Sequence, residues 1–490
     1  MNGSGGGTAQ TAVTSLELSL DALRRSGKTP SVPFQVCDES GEKVTVTSLL
    51  RVLPGKRLVG EAWWQGQRVL IKLFVAQRSR RHWEREQQGI GLLQSAHLPT
   101  PAPLHAAALA DGGYMLLTEF LPDSETLADR WIAVKGLPPG DPAALYVLRP
   151  AFALLGCLHA AGLIQTDAHL GNFLTHDSRL LLIDGDGISR VDNAGIDATR
   201  SLLDNLALFV AQLPPAWDGC LDDLIAAYVS EQSRWHPERQ ALLPAIDRAR
   251  DRRRDHFLGK TVRDCSQFAV RSTVGLFSAV LRSEEGRLTD VLADPDRAVA
   301  TGRMLKDGNT CTVTRVDTDG LALVIKRYNL KNRLHALSRL WRPSRAWHSW
   351  LAGHRLAFYG IATPAPLALL EERVGPLRRR AYLITEFYSG ENLLERLSPD
   401  HPPETEEAKA ILDLFEMLVR LRISHGDTKA TNFIWHDGRL ALIDLDAMQQ
   451  HVSAGAFTRC WRRDRQRFLR NWPESSVLCR WLDEHLPEAR

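Results

Sequence analysis

The strongest constraint on the fold of this chain is an internal repeat. Residues 172–184 are NFLTHDSRLLLID and residues 432–444 are NFIWHDGRLALID, and nine of these thirteen positions are identical. The segments TPAPL and TEF also occur once in each half, in the same order. The offset between copies stays between 254 and 267 residues if VLIK, which ends at Lys72, is matched with LVIK, which ends at Lys326. We infer one duplicated domain.

The length of the chain agrees with a duplication. A chain of 490 residues is too long for one ordinary core and predicts two domains of roughly 200 to 250 residues each. The polar stretch from Ser283 to Arg297 is the best candidate for a linker. We predict a flexible N-terminus at 1–30, a first domain at 31–285, a linker at 286–300 and a second domain at 301–490.

Each copy predicts a strand-rich first lobe and a helical second lobe. Arg68–Phe74 and Leu321–Tyr328 are short apolar, β-branched runs typical of buried strands, and each ends near its lysine. Ala151–Ala161 and Ala408–Arg422 have helical spacing of apolar residues and precede the polar loops of interest. The predicted fold class is therefore α+β, with two tandem domains.

Charge and cysteine content exclude several classes of protein. The chain has 61 basic and 58 acidic residues, so it lacks the overall positive field of a dedicated nucleic-acid binder. Its seven cysteines are far apart and form no C-x2-C pair, which argues against disulfides and thiolate zinc sites and favours a reducing compartment. We find no signal peptide and expect no apolar stretch near the roughly 20 residues of a membrane span. A cytoplasmic protein is expected.

The repeated polar residues suit phosphoryl transfer, which needs positive charge on the nucleotide phosphates, oxygen ligands for Mg2+ and a carboxylate that orients the attacking hydroxyl. Lys72 and Lys326 end strands, where their stems can be buried while the ammonium groups reach phosphate. A single lysine in this position is usually a solvated rim residue. The prediction therefore depends on its partners.

Those partners are an aspartate, an asparagine five residues later and a second aspartate seventeen residues after the first. The set is Asp167, Asn172 and Asp184 in the first copy and Asp427, Asn432 and Asp444 in the second. A single Asp-x4-Asn would ordinarily be a turn in which the side chain binds its own backbone. Recurrence of the whole set favours catalysis with ATP and Mg2+. The alternative is that Asp184 and Asp444 only cap loops and bind no metal.

The second copy resembles the protein-kinase-like lipopolysaccharide core-sugar kinases, which phosphorylate heptose or Kdo. HGDTKATNF from His425, LIDLD from Leu442, TPAPL, TEF and RDRQRFLRNW from Arg463 carry the resemblance over most of 300–490. QTDAHLGNF from Gln165 and IDGDG from Ile183 extend it, more distantly, to about 45–270.

The resemblance implies protein-kinase-like domains and a role for each matching residue. Lys72 and Lys326 would bind phosphate, Asp167 and Asp427 would be catalytic, and Asn172, Asp184, Asn432 and Asp444 would bind magnesium. Two further roles follow from it: Lys429 would neutralise the transferring phosphate, and a helix glutamate, Glu84 or the better placed Glu86, would pair with Lys72.

The sequence also departs from the protein-kinase pattern. Neither copy has a G-x-G-x-x-G loop, and the second has no acidic residue between Lys326 and Glu371 to pair with its lysine. A catalytic domain combined with a regulatory domain is therefore an alternative to two catalytic domains. His169 replaces Lys429 in the first copy.

The residues after Asp444 indicate which class of molecule would accept the phosphate. Only 46 residues follow Asp444, without an A-P-E motif, which disfavours a protein substrate and favours a sugar hydroxyl. Arginines between Arg459 and Arg470 could face phosphorylated glycolipid or an anionic membrane, with Trp461 and Trp472 favouring an interface, or could form a solvated helix face.

We therefore predict an ATP- and Mg2+-dependent kinase of the lipopolysaccharide inner core, at the cytoplasmic face of the inner membrane. Its partners would be core glycolipid, an anionic membrane surface and, as the resemblance implies for some heptose kinases, acyl carrier protein, with no nucleic acid. A soluble antibiotic-type phosphotransferase and a pseudokinase scaffold are the alternatives.

Overall fold

The structure is a computed structural model that describes residues 16–27, 29–191, 195–231, 235–308, 311–329, 343–374 and 377–489. Within these residues the chain divides into two compact units, and each combines a β-sheet with helices. The first unit comprises 1–213 and 217–250, and the second comprises 214–216 and 251–490.

Strands of the first unit alternate with a few helices in its N-terminal half, and helices dominate afterwards. The elements are β1 Leu16–Glu17, α1 Leu20–Arg25, β2 Phe34–Cys37, β3 Lys43–Leu53, β4 Arg57–Trp64, β5 Gln67–Phe74, α2 Arg80–Ser95, β6 Pro103–Ala108, β7 Tyr114–Glu119, β8 Glu125–Thr126, α3 Leu127–Val134, α4 Pro142–Ala160, β9 Leu163–Gln165, β10 Phe173–His176, β11 Arg179–Leu182, β12 Ile188–Arg190, α5 Ile196–Val210, α6 Leu221–Val229 and α7 Arg239–Lys260, of which residues 251–260 are assigned to the second unit.

The second unit also has most of its strands in its first half and helices at its end. Its elements are β13 Phe268–Ser272, β14 Leu276–Leu281, α8 Thr289–Ala293, α9 Pro295–Thr301, β15 Arg303–Gly308, β16 Cys311–Thr318, β17 Leu321–Tyr328, α10 Arg345–Tyr359, β18 Pro366–Val374, β19 Leu377–Glu386, α11 Leu393–Arg396, α12 Thr405–Arg420, β20 Ile423–Ser424, β21 Phe433–His436, β22 Arg439–Leu442, β23 Gln449–Gln450, α13 Ala454–Leu469 and α14 Val477–His485.

The two main sheets share five strands in the same order. The first sheet runs β1-β2-β3-β4-β5-β7-β6, and the second runs β13-β14-β18-β19-β17-β16-β15. The common part is β3-β4-β5-β7-β6, which corresponds to β15-β16-β17-β19-β18. The two additional strands join opposite ends of this common part: β1 and β2 extend the β3 side, whereas β14 pairs with β18.

The alternation of side chains along one strand decides on which face of the sheet the lysine of each unit lies. Val69, Ile71 and Leu73 of β5 are buried in the sheet core. Because successive side chains of a strand point to opposite faces, Lys72 lies on the other face of the sheet. In β17, Leu323 and Ile325 are buried in the equivalent core, which places Lys326 in the same way.

Helices, a hairpin and one further pair of short antiparallel strands follow each sheet. The cores pack around α4 in the first unit and around α12 in the second, with Phe152 and Phe415 among the fully buried side chains. The β10-β11 hairpin of the first unit corresponds to β21-β22 of the second, and the pair β9-β12 corresponds to β20-β23.

The structure places the domain boundary earlier than the sequence predicted. The units divide after Arg250, whereas we expected the first domain to end at 285. The predicted linker at 286–300 is also wrong. Most of it forms helices α8 and α9, and Val291 and Val299 are buried in the core of the second sheet because they pack on its apolar face.

Two further expectations need correction. The predicted flexible N-terminus, residues 1–30, includes helix α1, whose Leu20 and Leu23 are buried in the first sheet core; residues 1–15 lie outside the described residues. Contrary to the expectation that no apolar stretch approaches membrane-spanning length, one described helix, α4 at 19 residues, is long and apolar enough to cross a membrane. It is mostly buried within the first unit, as the central helix of a folded core is.

Candidate active sites

A hairpin brings the predicted asparagine and second aspartate together in each unit. Phe173 pairs with Leu182, and the Ile183 N–H donates to the carbonyl of Asn172 at 2.9 Å. In the second unit the Ile443 N–H donates to the carbonyl of Asn432 at 3.0 Å. Asn172 and Asn432, which are 260 positions apart in the chain, therefore have the same local backbone geometry.

Each aspartate leaves its hairpin in a left-handed backbone conformation. Asp184 has φ of 70° and Asp444 has φ of 58°. Such a conformation is uncommon for residues other than glycine, and aspartate tolerates it because its short polar side chain can interact locally. Its presence at both positions turns the carboxylate out of the strand direction in the same way in both units.

The oxygen donors fit magnesium. Asn172 uses its Nδ2 to donate to the Asp167 carbonyl at 2.9 Å, and Asn432 does the same to the Asp427 carbonyl at 2.8 Å, so Oδ1 is the atom of each amide suited to a cation. Asp184 Oδ1 is buried and accepts no hydrogen bond from the described residues.

The small number of protein donors also suits this metal. The described residues contain no cluster of three or more His, Cys, Asp or Glu side chains able to hold a metal. Mg2+ is usually bound through one or two carboxylates together with waters and substrate phosphates, so a pair of donors in each unit is sufficient.

Lys72 lies in a balanced group of charges. Its ammonium pairs with the Glu86 carboxylate of α2, and Asp184 Oδ1 is 3.8 Å away. Arg57, at the start of β4, lies 3.9 Å from Glu86 and 3.8 Å from Asp184. Glu86 is fully buried and also accepts the N–H groups of residues 185 and 186, at 3.1 and 3.3 Å. This glutamate therefore joins the lysine, the helix and the loop that carries Asp184.

Lys326 has different partners. Its Nζ lies 2.5 Å from Asp444 Oδ1 and 2.8 Å from Asp446 Oδ1. Asp446 is held by two hydroxyl donors, Tyr328 and Ser349, each at 2.7 Å. Ser349 belongs to helix α10, the counterpart of the helix that supplies Glu86. The second unit thus replaces the helix glutamate by a loop aspartate that α10 positions through a hydroxyl.

These contacts fix the charge states of the second site. Burial acts to lower the pKa of Lys326, but Asp446 and Asp444 raise it above its ordinary value. Burial acts to raise the pKa of Asp444, and the ammonium groups of Lys326 and Lys306 reverse this effect, so that this pKa lies below its ordinary value. The ammonium of Lys326 therefore contacts both carboxylates, and the Arg345 guanidinium lies 3.9 Å from Asp446 Oδ2, so two cations face two carboxylates in this site.

Asp427, the predicted catalytic aspartate of the second unit, lies between two cations. Asp427 Oδ1 is 2.9 Å from an Arg467 guanidinium nitrogen, and Asp427 Oδ2 is 3.4 Å from Lys429 Nζ. One quarter of the Asp427 side chain is exposed, so a substrate hydroxyl can reach it. The contacts from Lys326 to Asp444, from Ile443 to Asn432 and from Asn432 to Asp427 connect all the predicted groups of this site.

A buried carboxylate holds the loop that carries Asp427. Asp464 of α13 accepts the N–H of His425 at 2.7 Å and the N–H of Gly426 at 3.1 Å. Asn471 accepts from the Ala430 N–H at 3.0 Å and donates to the Thr428 carbonyl at 3.1 Å. Burial raises the pKa of Asp464, although the two backbone donors act against this. The loop is therefore attached to α13 and to the residues just beyond it.

The first unit has the same support but a more open aspartate. Gln212 accepts from the Leu170 N–H at 2.8 Å and donates to the Ala168 carbonyl at 3.1 Å, as Asn471 does 259 residues later. Asn205 takes the place of Asp464 and donates to the Gln165 carbonyl at 2.7 Å. Asp167 is 83% exposed, and the imidazole of His169 lies 3.8 Å from its carboxylate.

Sequence reasoning missed several residues of these sites. Asp446, Tyr328 and Ser349 around Lys326 had no assigned role, and neither had Asp464. Asp446 stands within the LIDLD segment and Asp464 within RDRQRFLRNW, so both lie in segments that carried the resemblance. Trp461 and Trp472 do not form an interface, because both are buried in the core of the second unit, at 2% and 5% exposure.

One known family matches most of the second unit. Residues 297–472 match the lipopolysaccharide kinase (Kdo/WaaP) family. This match covers 176 of the 490 residues, counted from 297 to 472, and includes Lys326, Asp427 and Asp444. The resemblance inferred from the motifs is confirmed for this region. A lipopolysaccharide kinase is a phosphotransferase, and this is the activity class that the match gives to the second unit.

Solved structures also match part of this chain. A structure of WaaP in complex with acyl carrier protein is 19% identical, with 42% of this chain and 88% of that chain covered and a TM-score of 0.33. A structure of vaccinia related kinase 3 is 12% identical, with 52% of this chain and 85% of that chain covered and a TM-score of 0.27. A search of curated proteins gave no match.

Proposed function

We propose that the second unit transfers the terminal phosphate of ATP to a hydroxyl of a lipopolysaccharide inner-core sugar, heptose or Kdo. The observation that carries the proposal is the connected set Lys326, Asp444, Asn432 and Asp427 within the region that matches the kinase family. A bound Mg2+ would neutralise phosphate charge and fix its orientation.

The residues of the chain would divide the remaining tasks. Lys326, oriented by Asp446, would bind the nucleotide phosphates. Asp427 would accept the proton of the attacking sugar hydroxyl and orient its oxygen for in-line attack. Lys429, 3.4 Å from Asp427, would stabilise charge on the transferring group. Asn432 and Asp444 would hold the metal.

The test measures transfer from labelled ATP to purified core oligosaccharides by the full-length protein. Asp427→Ala should lower kcat by roughly 10²- to 10⁴-fold, the usual contribution of a positioned acid or base. The matched substitution Asp167→Ala measures how much of the phosphate transfer depends on the first unit. If the wild-type protein phosphorylates no core glycan but does phosphorylate small aminoglycoside-type alcohols, the antibiotic-type alternative replaces this proposal.

For the first unit we propose a nucleotide-binding, regulatory role. Two contacts of Lys72, with Glu86 and with Asp184, support nucleotide binding, whereas Asp167 is largely exposed and faces no lysine or arginine among the described residues. Lys72→Ala should remove part of the thermal stabilisation that ATP gives the full-length protein, without loss of transfer. If Asp167→Ala abolishes a distinct phosphorylation, the first unit is itself a kinase.

Location and partners follow from this function. We propose attachment at the cytoplasmic face of the inner membrane, where core glycolipid would be the acceptor, and acyl carrier protein as a further partner. Cell fractionation tests the first, and co-purification with acyl carrier protein tests the second.

A further inference from the structure

A basic cleft borders the aspartate loop of the second unit. It has a volume of about 590 Å³ and is lined by Ser424 of β20, by Gly426 of the loop and by residues 447 and 449. Its basic side is formed by Arg463 and Arg467 of α13 and by Arg470, the residue directly after that helix. Its one acidic lining residue, Asp464, is committed to two backbone N–H groups. The cleft therefore offers unbalanced positive charge.

Arg463 and Arg467 lie on one face of α13, and Arg470, its C-cap residue, continues that face. Their positions follow the spacing i, i+4 and i+7, which places side chains on the same side of an α-helix. All three are exposed. Arg467 contacts Asp427, whereas Arg463 and Arg470 have no ion pair with any described carboxylate. One arginine thus links the cleft to the catalytic aspartate, and two are available for an anion.

The first unit lacks this face. Corresponding hydrogen bonds relate Gln212 to Asn471, and corresponding ring contacts of 5.1 Å relate Phe209 to Phe468, both at an offset of 259 residues. At the same offset, the three cleft arginines align in sequence with three residues that carry no positive charge. These residues are Asp204, Leu208 and Ala211. The arginine face is therefore a feature of the second unit and not of the shared scaffold.

We propose that this cleft binds an anionic group, carboxylate or phosphate, of the acceptor glycan and so brings the neighbouring hydroxyl to Asp427. The inference rests on the proposed function of the second unit and adds the acceptor class. Arginine suits this task because its planar guanidinium donates two parallel hydrogen bonds to a carboxylate or phosphate. Acceptor selection then resides in the second unit.

The experiment compares Arg463→Gln and Arg470→Gln with wild type in the full-length protein. Arg462→Gln is the matched control, because Arg462 is exposed on the same helix but does not line the cleft. The acceptors are a Kdo-containing phosphorylated core oligosaccharide, the same oligosaccharide after phosphatase treatment, and the same after carboxyl reduction. Kinetics give KM for acceptor and for ATP, and isothermal titration calorimetry gives acceptor binding independently of turnover.

Each cleft variant should raise the acceptor KM about tenfold or more, as expected for loss of a charge-assisted contact, and leave the KM for ATP unchanged. The chemical treatment that abolishes this difference identifies the bound group as phosphate or carboxylate. Wild-type affinity in both cleft variants, or an equal loss in Arg462→Gln, overturns the inference, since the latter indicates a diffuse electrostatic surface such as a membrane contact.

The two proposals fail in different ways. Transfer by wild type with unchanged kinetics in the cleft variants leaves the kinase function standing and removes the cleft as a subsite. Absence of transfer together with arginine-dependent acceptor binding supports the cleft and contradicts the kinase function. Absence of acceptor binding by calorimetry overturns the cleft proposal whatever the turnover.

Discussion

Lys326 Nζ lies 2.8 Å from Asp446 Oδ1, so the second unit holds its strand lysine with a carboxylate from the loop after β22. The first unit holds Lys72 with Glu86 of helix α2 instead. The lack of any acidic residue between Lys326 and Glu371 therefore does not leave this lysine without an orienting partner in its own site. One lysine position is supported from two different parts of the fold.

Removal of this carboxylate should impair nucleotide use. We expect Asp446→Asn to lower kcat/KM for ATP by roughly 10- to 100-fold, because a hydrogen bond to a charged group contributes about 1.5–3 kcal/mol. Steady-state kinetics on the full-length protein measure this. The control is Asp186→Asn, since Asp186 contacts Arg85 at 2.7 Å and His82 at 3.1 Å. Unchanged kinetics in Asp446→Asn would contradict the assigned role.

A close helix approach should make one glycine of α2 indispensable. A Cβ at Gly89 would lie 1.9 Å from the carbonyl oxygen of Gly185, so Gly89→Ala must move the helix away from the loop after Asp184 and displace Glu86. We expect destabilisation of about 1–3 kcal/mol, as overpacking usually costs, and loss of ATP-induced stabilisation of the first unit.

Gly91 of the same helix supplies the matched control. A Cβ there meets nothing within 4 Å, so Gly91→Ala should be neutral or stabilise by up to about 1 kcal/mol through helix propensity. Chemical denaturation of both variants provides the measurement. Equal stability of the two would show that the helix tolerates displacement at Gly89.

Loss of the Asp464 carboxylate should loosen the Asp427 loop. Asp464→Ala leaves the N–H groups of His425 and Gly426 without their acceptor, and an unsatisfied buried donor costs about 1–3 kcal/mol. Transfer should fall together with unfolding free energy. Asp413→Ala, which removes an exposed carboxylate paired with Lys409, should change stability by less than about 0.5 kcal/mol. Comparable effects of both substitutions would argue against the anchoring role.

A buried histidine should make the first unit sensitive to acid. Burial lowers the pKa of His159 from 6.5 to about 4, and its ring nitrogens contact Tyr228 Oη at 2.9 Å and Asn205 Oδ1 at 3.0 Å. Between these two pH values the unfolded state binds more protons than the folded state. Stability from this group is therefore complete above pH 6.5 and is lost as pH falls toward 4, with a slope of up to about 1.4 kcal/mol per pH unit.

Thermal unfolding of wild type and His159→Gln between pH 4 and 7 tests this dependence. The variant should show a shallower decline with acid in the transition that it affects, whatever its stability at neutral pH. His236→Gln, at an exposed position, serves as the control and should keep the wild-type slope. Parallel slopes for wild type and His159→Gln would be evidence against titration of this histidine.

Local patterns predicted the elements that carry the site. The run Leu321–Tyr328 forms strand β17 with the predicted ends, and the run Arg68–Phe74 lies within β5. The Asn172 to Asp184 segment forms a hairpin because its apolar residues flank the turn at 177 and 178. Strand period and turn chemistry are local properties, so the sequence expresses them directly.

Other features depended on contacts distant in the chain. The strands β13 and β14 were assigned to the wrong domain, because their sequence does not state that β14 pairs with β18 about 90 residues later. Trp461 appeared as an interface residue because an aromatic ring beside arginines has the same sequence pattern whether it faces solvent or a core.

The sequence by itself determined the duplication, the strand lysines and the recurring set of aspartates and asparagine, since repetition and spacing are visible without coordinates. Tertiary structure alone decided that Asp446 orients Lys326, that Asp464 supports the Asp427 loop and that three arginines border a cleft. The reason is physical: burial, charge pairing and hydrogen bonding depend on distances between side chains, and only the packed fold sets those distances.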